Sequence, residues 1–178
     1  MIRLLPVLLL AASAVAAERP NVTREELAAV EQRMDKAVRA LDVDDPYDVL
    51  GFTRGVYLPG YGVVFTTEVS LVMPGITPFD PPLTPAQIER LHQKKLRRLV
   101  VMRNVMEQML LVSAETLERL PAGERVVYGV TLFYRSFEKR DGLPSQVVMQ
   151  APRQALLEFR AGRMGRAQFD AALRVQEF

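Results

Sequence analysis

One histidine, no cysteine and a scatter of carboxylates make up the chemical inventory of this 178-residue chain. His92 alone cannot build the usual structural zinc site, which draws on several cysteines and histidines. Within one helical turn it has only Glu89 for company. It reads as a solvated or helix-edge histidine, so no metal and no cofactor is expected. Ser70, Ser113, Ser136 and Ser145 stand outside any Gly-x-Ser-x-Gly elbow, and a Ser-His-Asp hydrolase would have His92 as its sole base. Two carboxylates suffice for glycosidic chemistry; Glu68 with Glu138 or Asp141 is the least arbitrary set. No residue is assigned as catalytic.

Lys95 falls inside the apolar arc of Ile88, Leu91, Leu99 and Met102 on a helical wheel. Enclosed there, a lysine has a lowered pKa and serves as base or nucleophile. The plainer expectation is that this end of the helix overhangs and the Lys95 stem snorkels to water. Met102, Met106 and Met109 repeat at helical spacing. Thioethers hold Cu(I), but these align with leucines and read as core filling.

Two groups remain as binding candidates. Arg90, Lys94, Arg97 and Arg98 form a basic strip on the far side of the same helix, suited to an anionic lipid, an acidic glycan or an acidic partner. A solvated face is its default role. No aromatics interleave with these charges as nucleic-acid binding requires, so nucleic acid is not an expected partner. Tyr57 and Tyr61 flank Pro59-Gly60 at a turn, where aromatics suit peptide or sugar contact. The competing expectation is a tight hairpin whose tyrosines pack on a neighbouring helix. Tyr57, Tyr61, Lys94, Arg97 and Arg98 are the residues carried forward.

The elements that would position them follow from periodicity. Thr23 and Glu26 make a capping box, and Leu27, Val30, Met34, Ala37, Val38 and Leu41 trace one apolar seam until Asp44-Asp45-Pro46. Residues 52–72 read as extended, with Val63, Phe65, Thr67, Val69 and Leu71 on one side. Pro59-Gly60-Tyr61-Gly62 closes a hairpin with Gly55-Val56-Tyr57-Leu58, or else sits in one bulged strand. Five prolines between residues 74 and 85 predict an irregular connection. Thr84-Pro85-Ala86-Gln87 starts a long helix, read as running to Leu120 and, being longer than a small domain is wide, as overhanging and also pairing with the first helix or a second copy. Strands follow at 126–137 and 146–149, turning at Asp141-Gly142. A short helix from Pro152, a break at Gly162 and a last amphipathic helix over 166–176 complete the chain. The expected architecture is α+β: a mainly antiparallel sheet of about four strands on one long central helix, with shorter flanking helices.

Residues 1–17 have a positive start, an apolar middle and an Ala-x-Ala ending, the anatomy of a secretory signal peptide cleaved after Ala16 or Ala17. Residues 18–178 are then expected as a single α+β domain, periplasmic or secreted, without a transmembrane span. The absence of cysteine leaves no disulfides. Without Arg3, 22 basic face 21 acidic residues, a balance too even to argue for a polyanionic partner. No motif ties the chain to a known family. The favoured function is a non-enzymatic exported binding or envelope-assembly protein of bacterial type, with a protein or envelope partner. The alternatives are a structural homodimer joined through the long helix and a small carboxylate-dependent hydrolase using Glu68.

Overall fold

Thr23 accepts the Glu26 N–H at 3.2 Å while the Glu26 carboxylate accepts the Thr23 N–H at 2.8 Å. This reciprocal cap starts α1, Arg24–Arg39. The structure, a computed structural model, describes residues 22–42, 47–72, 75 and 79–178. The signal peptide expected over 1–17 lies outside the described residues. So do residues 74 and 76–78 of the proline-rich connection, whose described residues 75 and 79–84 belong to no helix or strand.

β1 (Asp48–Leu58) and β2 (Gly62–Ser70) form the expected hairpin. β1 is longer than its apolar pattern indicated because register shifts on either side of Gly51 interrupt the alternation. The tip requires glycine at two positions. Gly60 has φ +81° and Gly62 φ +142°, and a Cβ on Gly62 would lie 1.9 Å from the Arg125 carbonyl oxygen. Here the hairpin end is pressed onto the next strand of the sheet.

α2, Pro85–Thr116, opens with the Thr84–Gln87 capping box and, at 32 residues, extends about 48 Å. It stops four residues before Leu120, because Leu117 leaves helical geometry at ψ +66°; Leu117 and Leu120 remain buried all the same. The helix crosses between β2 and β3 (Arg125–Leu132), which lie side by side in parallel, an arrangement that needs such a crossover. The β3 strand then pairs antiparallel with β4, Gln146–Pro152.

α3 (Arg153–Arg160) and α4 (Arg166–Ala172) flank a turn where Gly162 has φ +71°. The expected helix over 166–176 is corrected here. It ends at Ala172, Leu173 turns extended, and Arg174–Glu177 becomes β5, antiparallel to β4. The apolar spacing of so short a segment suits either state, and the free edge of β4 decides it by supplying backbone partners. The sheet therefore has five strands in the order β1-β2-β3-β4-β5 rather than about four. The α+β class, the mostly antiparallel sheet and the long helix on it stand as expected.

The four helices of the described residues pack on one side. Val63, Phe65 and Val69, with Val126, Tyr128, Val130 and Leu132, meet Met102, Met106 and Leu110 of α2 in one buried cluster. The three methionine side chains are core, as their alignment with leucines indicated. α1 lies over β1 and reaches the C-terminal end of α2, where Arg33 donates to Thr116 at 2.8 Å. Among the described residues no helix is long and apolar enough to cross a membrane.

Candidate functional site

The free edge of β1 is closed by carboxylates from α1. Asp35 accepts the Thr53 N–H at 2.9 Å and its hydroxyl at 2.6 Å. Glu31 accepts the Gly55 N–H at 2.8 Å and a two-pronged bond from Arg24 at 2.8 and 2.6 Å. Glu31 and Asp35 lie one helical turn apart and so meet alternate residues of the strand. They satisfy edge N–H groups that would otherwise invite another chain. Burial works to raise the Glu31 carboxyl, but Arg24 and the Gly55 N–H outweigh it and hold the group below its ordinary value. Beside these bonds a groove of about 370 Å³ runs between α1 and β1. Behind it the buried Tyr128 hydroxyl comes near Thr53 and Asp35 without a hydrogen bond of normal geometry, and burial pushes its pKa up.

Among the described residues, the opposite side of the sheet carries no helix. There β1 presents Leu50, Arg54, Val56 and Leu58, the three apolar side chains 44–51 % exposed, while Phe52, 62 % exposed, falls in the register shift between Gly51 and Arg54 and lines the α1–β1 groove as well as this side. Val64 sits across from Val56 in register and Thr66 across from Arg54. Phe52 is flanked by two guanidinium groups, Arg39 at 5.6 Å and Arg54 at 5.9 Å from the ring centroid. Behind Phe52, Arg54, Thr66, Glu68 and Thr131 line a shallow groove of about 340 Å³ with the bulge at Gly51 at its end. Among the described residues neither Arg54 nor Glu68 has an ion-pair partner.

The sequence candidates separate in space. Tyr57 pairs with Val63 and so faces the helices; its hydroxyl donates to Glu124 at 3.3 Å, and the same carboxylate oxygen takes the Gly60 N–H at 2.9 Å. Tyr61, at the tip, donates to Gln150 of β4 at 3.5 Å. Gln150 pairs with Val127, away from the buried face of β3, so Tyr61 belongs to one end of the open side.

The basic strip does not hold together as a solvated face. Arg90 and Arg97 are exposed and Lys94 half-buried, but Arg98 is buried. Its guanidinium donates to the Leu71 carbonyl at 2.8 Å and to Asp42 at 2.6 Å, and it stacks 4.6 Å from the Tyr47 ring. A wheel drawn on α2 alone cannot show that 71–72 and 47 close over that flank.

Lys95 corrects the snorkelling expectation. It is fully buried, ion-paired to Glu138 and 4.9 Å from the Tyr134 ring centroid. Desolvation pulls its pKa down, and Glu138 pulls it partly back. Burial also lifts the Tyr134 hydroxyl to about 12. Glu138 is thereby committed to the helix side while Glu68 faces the other way, so that carboxylate pair is not brought together. Asp141 is exposed beside Lys139. The His92 ring is buried, with Nδ1 3.2 Å from the Lys139 carbonyl, so it belongs to the anchoring of segment 133–145 rather than to a solvated edge. Ser70, Ser113 and Ser145 each donate to a backbone carbonyl.

Sequence reasoning missed Leu50, Phe52 and Arg54. The signal was present: apolar residues at 50, 52, 56 and 58 keep a two-residue period. It was passed over because the alternate residues Gly55 and Tyr57 drew the reading to the buried side.

No protein-family model matches the chain, and no curated protein or solved structure matches it either. Its class is accordingly stated from its architecture, an α+β chain whose five-stranded sheet is, among the described residues, covered by helices on one side and open on the other.

Proposed function

We propose that this chain is a non-enzymatic exported binding or envelope-assembly protein that holds its partner on the bare side of the sheet. The observation that supports this most is the exposure of Leu50, Val56 and Leu58 on one strand, continued by Val64 and bordered at the sheet edge by Phe52. Contiguous apolar surface of this kind marks interaction sites in monomeric folds. Phe52 between two arginines has the aromatic and guanidinium chemistry that dominates protein interfaces. Among the described residues the groove beside it is lined by one carboxylate, Glu68, where glycosidic chemistry needs two.

Export is tested by N-terminal sequencing of the protein from fractionated cells, with Ala17 or Glu18 expected as the first residue; an intact Met1 overturns it. The binding surface is tested in living cells with a photo-crosslinking amino acid at Phe52, Val56 or, as a comparison, Arg97 and Asn104 on the outer side of α2. Discrete adducts from the sheet positions alone are expected. Adducts only from α2, or none from the sheet, overturn this reading.

A further inference from the structure

Phe52 stands where two grooves meet at the edge of the sheet, because the groove against α1 and the shallow groove on the open side are both lined by Phe52 and Arg54. The ring is 62 % exposed. Two guanidinium groups from separate elements flank it: Arg39, in the last turn of α1, lies 5.6 Å from its centroid, and Arg54 of β1 lies 5.9 Å from it. A guanidinium held over a ring engages its planar face and leaves its N–H edge for a carboxylate. Among the described residues neither Arg39 nor Arg54 has an ion-pair partner. Glu31, whose carboxylate feels the charge of Arg54, already accepts two bonds from Arg24 and one from the Gly55 N–H.

The surroundings of the two arginines decide which anion they suit. Glu31 and Asp35 line one groove and Glu68 lines the other. A partner of uniform negative charge, such as a nucleic acid or an acidic lipid surface, would therefore bring like charges together on both sides of Phe52. A single carboxylate avoids that opposition. Leu50, Val56 and Leu58, 44–51 % exposed, continue along β1 and call for apolar neighbours beside that carboxylate. An extended polypeptide supplies both kinds of group. Its alternate side chains repeat every 7 Å or so, the spacing that separates Arg54 from Val56 on β1.

We infer that Arg39, Phe52 and Arg54 anchor one carboxylate of an extended partner segment, an Asp or Glu whose apolar neighbours lie along β1. This rests on the proposal above that the open side of the sheet binds a partner, and it names the chemistry of the segment that binds. Arginine and aromatic side chains together are the usual centre of such a contact, and a guanidinium–carboxylate pair gives it direction as well as strength. Arg39 thereby joins the binding surface although it belongs to α1.

The test places a photo-crosslinking amino acid at Val56 in living cells and identifies the partner peptide joined to it. An Asp or Glu within three residues of the joined position is expected. That segment, synthesised with a fluorophore, is then titrated with the native chain and with Arg39→Gln and Arg54→Gln. Each substitution is expected to weaken binding by about tenfold or more, the size of effect seen for close interfacial charge pairs. Added salt should weaken native binding in the same direction. A peptide whose acidic residue is changed to the amide loses a similar factor, and loses little more when the arginines are changed as well. Thermal melts check that each variant folds. A joined segment without a carboxylate overturns the inference, as does binding indifferent to both arginine substitutions or to the amide. The outcome for the broader reading is separate: adducts that ignore Arg39 and Arg54 keep the open side as a binding surface and remove only the anchor, whereas absent adducts remove both.

Discussion

Lys95 and Glu138 keep only 1 and 2 % of their side-chain surface in contact with water, so each neutralises a charge that could not otherwise be buried. Removing one partner strands the other, a loss of about 3–5 kcal/mol, whereas replacing both by apolar groups of similar volume is close to neutral. Lys95→Met is therefore expected to lower urea stability strongly, and Lys95→Met with Glu138→Leu to recover most of it. A pair that recovers nothing would mean that the loop 133–145 needs the ions for its conformation. Glu31 answers to pH. Its folded pKa lies below the ordinary 4.5, so its stabilising contribution is complete above that value and is lost as pH falls through the lower, folded one. Glu31→Gln should flatten the acid limb of the stability profile, and at neutral pH cost about 1–2 kcal/mol through the lost charge-assisted bonds. Both effects are read from melts at stepped pH.

At the scale of elements, β1 depends on glycine for its contact with α1. A Cβ on Gly55 would sit 2.5 Å from the Phe65 ring and 3.5 Å from the Glu31 carboxylate. Gly55→Ala is expected to cost about 1–3 kcal/mol, the usual range for overpacking, and to raise hydrogen exchange at Thr53 and residue 55 together. Gly62→Ala meets backbone rather than a movable side chain, and at φ +142° it is strained besides. It should unpair the hairpin tip from Arg125 and be the more damaging of the two in thermal melts. Helices α1 and α2 were legible at their starts because capping boxes are local, set by residues three apart. The last helix was not, since residues 173–177 take their state from β4, far back in the chain.

For the whole molecule, one bare sheet face means that surface and stability are separable. Val56 is 51 % exposed, and Val56→Lys is expected to change stability by about 0.5 kcal/mol or less, as surface substitutions do, while weakening capture of a partner on the open side of the sheet. A large loss of stability instead would show that Val56 is packed in the folded monomer. The parallel pairing of β2 with β3 also brings Gly62 beside Arg125 across the whole of α2. Contacts so distant in sequence carry a loop-closure cost before they give anything back.

What the sequence by itself determined were the features written in neighbouring residues: the two capped helices, the alternation on the buried sides of β2 and β3, the glycine turn and the α+β class. These follow from local backbone preference and apolar period, which need no knowledge of distant chain. Tertiary structure alone decided that Lys95 and Arg98 turn inward, that Tyr57 and Tyr61 part to opposite sides, and that Glu68 and Glu138 never meet. It also decided that Phe52 and Arg54 stand at the sheet edge, between the α1 groove and the groove that Glu68 lines. A side chain's period shows which neighbours it accompanies, but only the packing of remote segments determines whether that side is covered. Here the helices all settled on one side of the sheet, and the candidate site is what they left open.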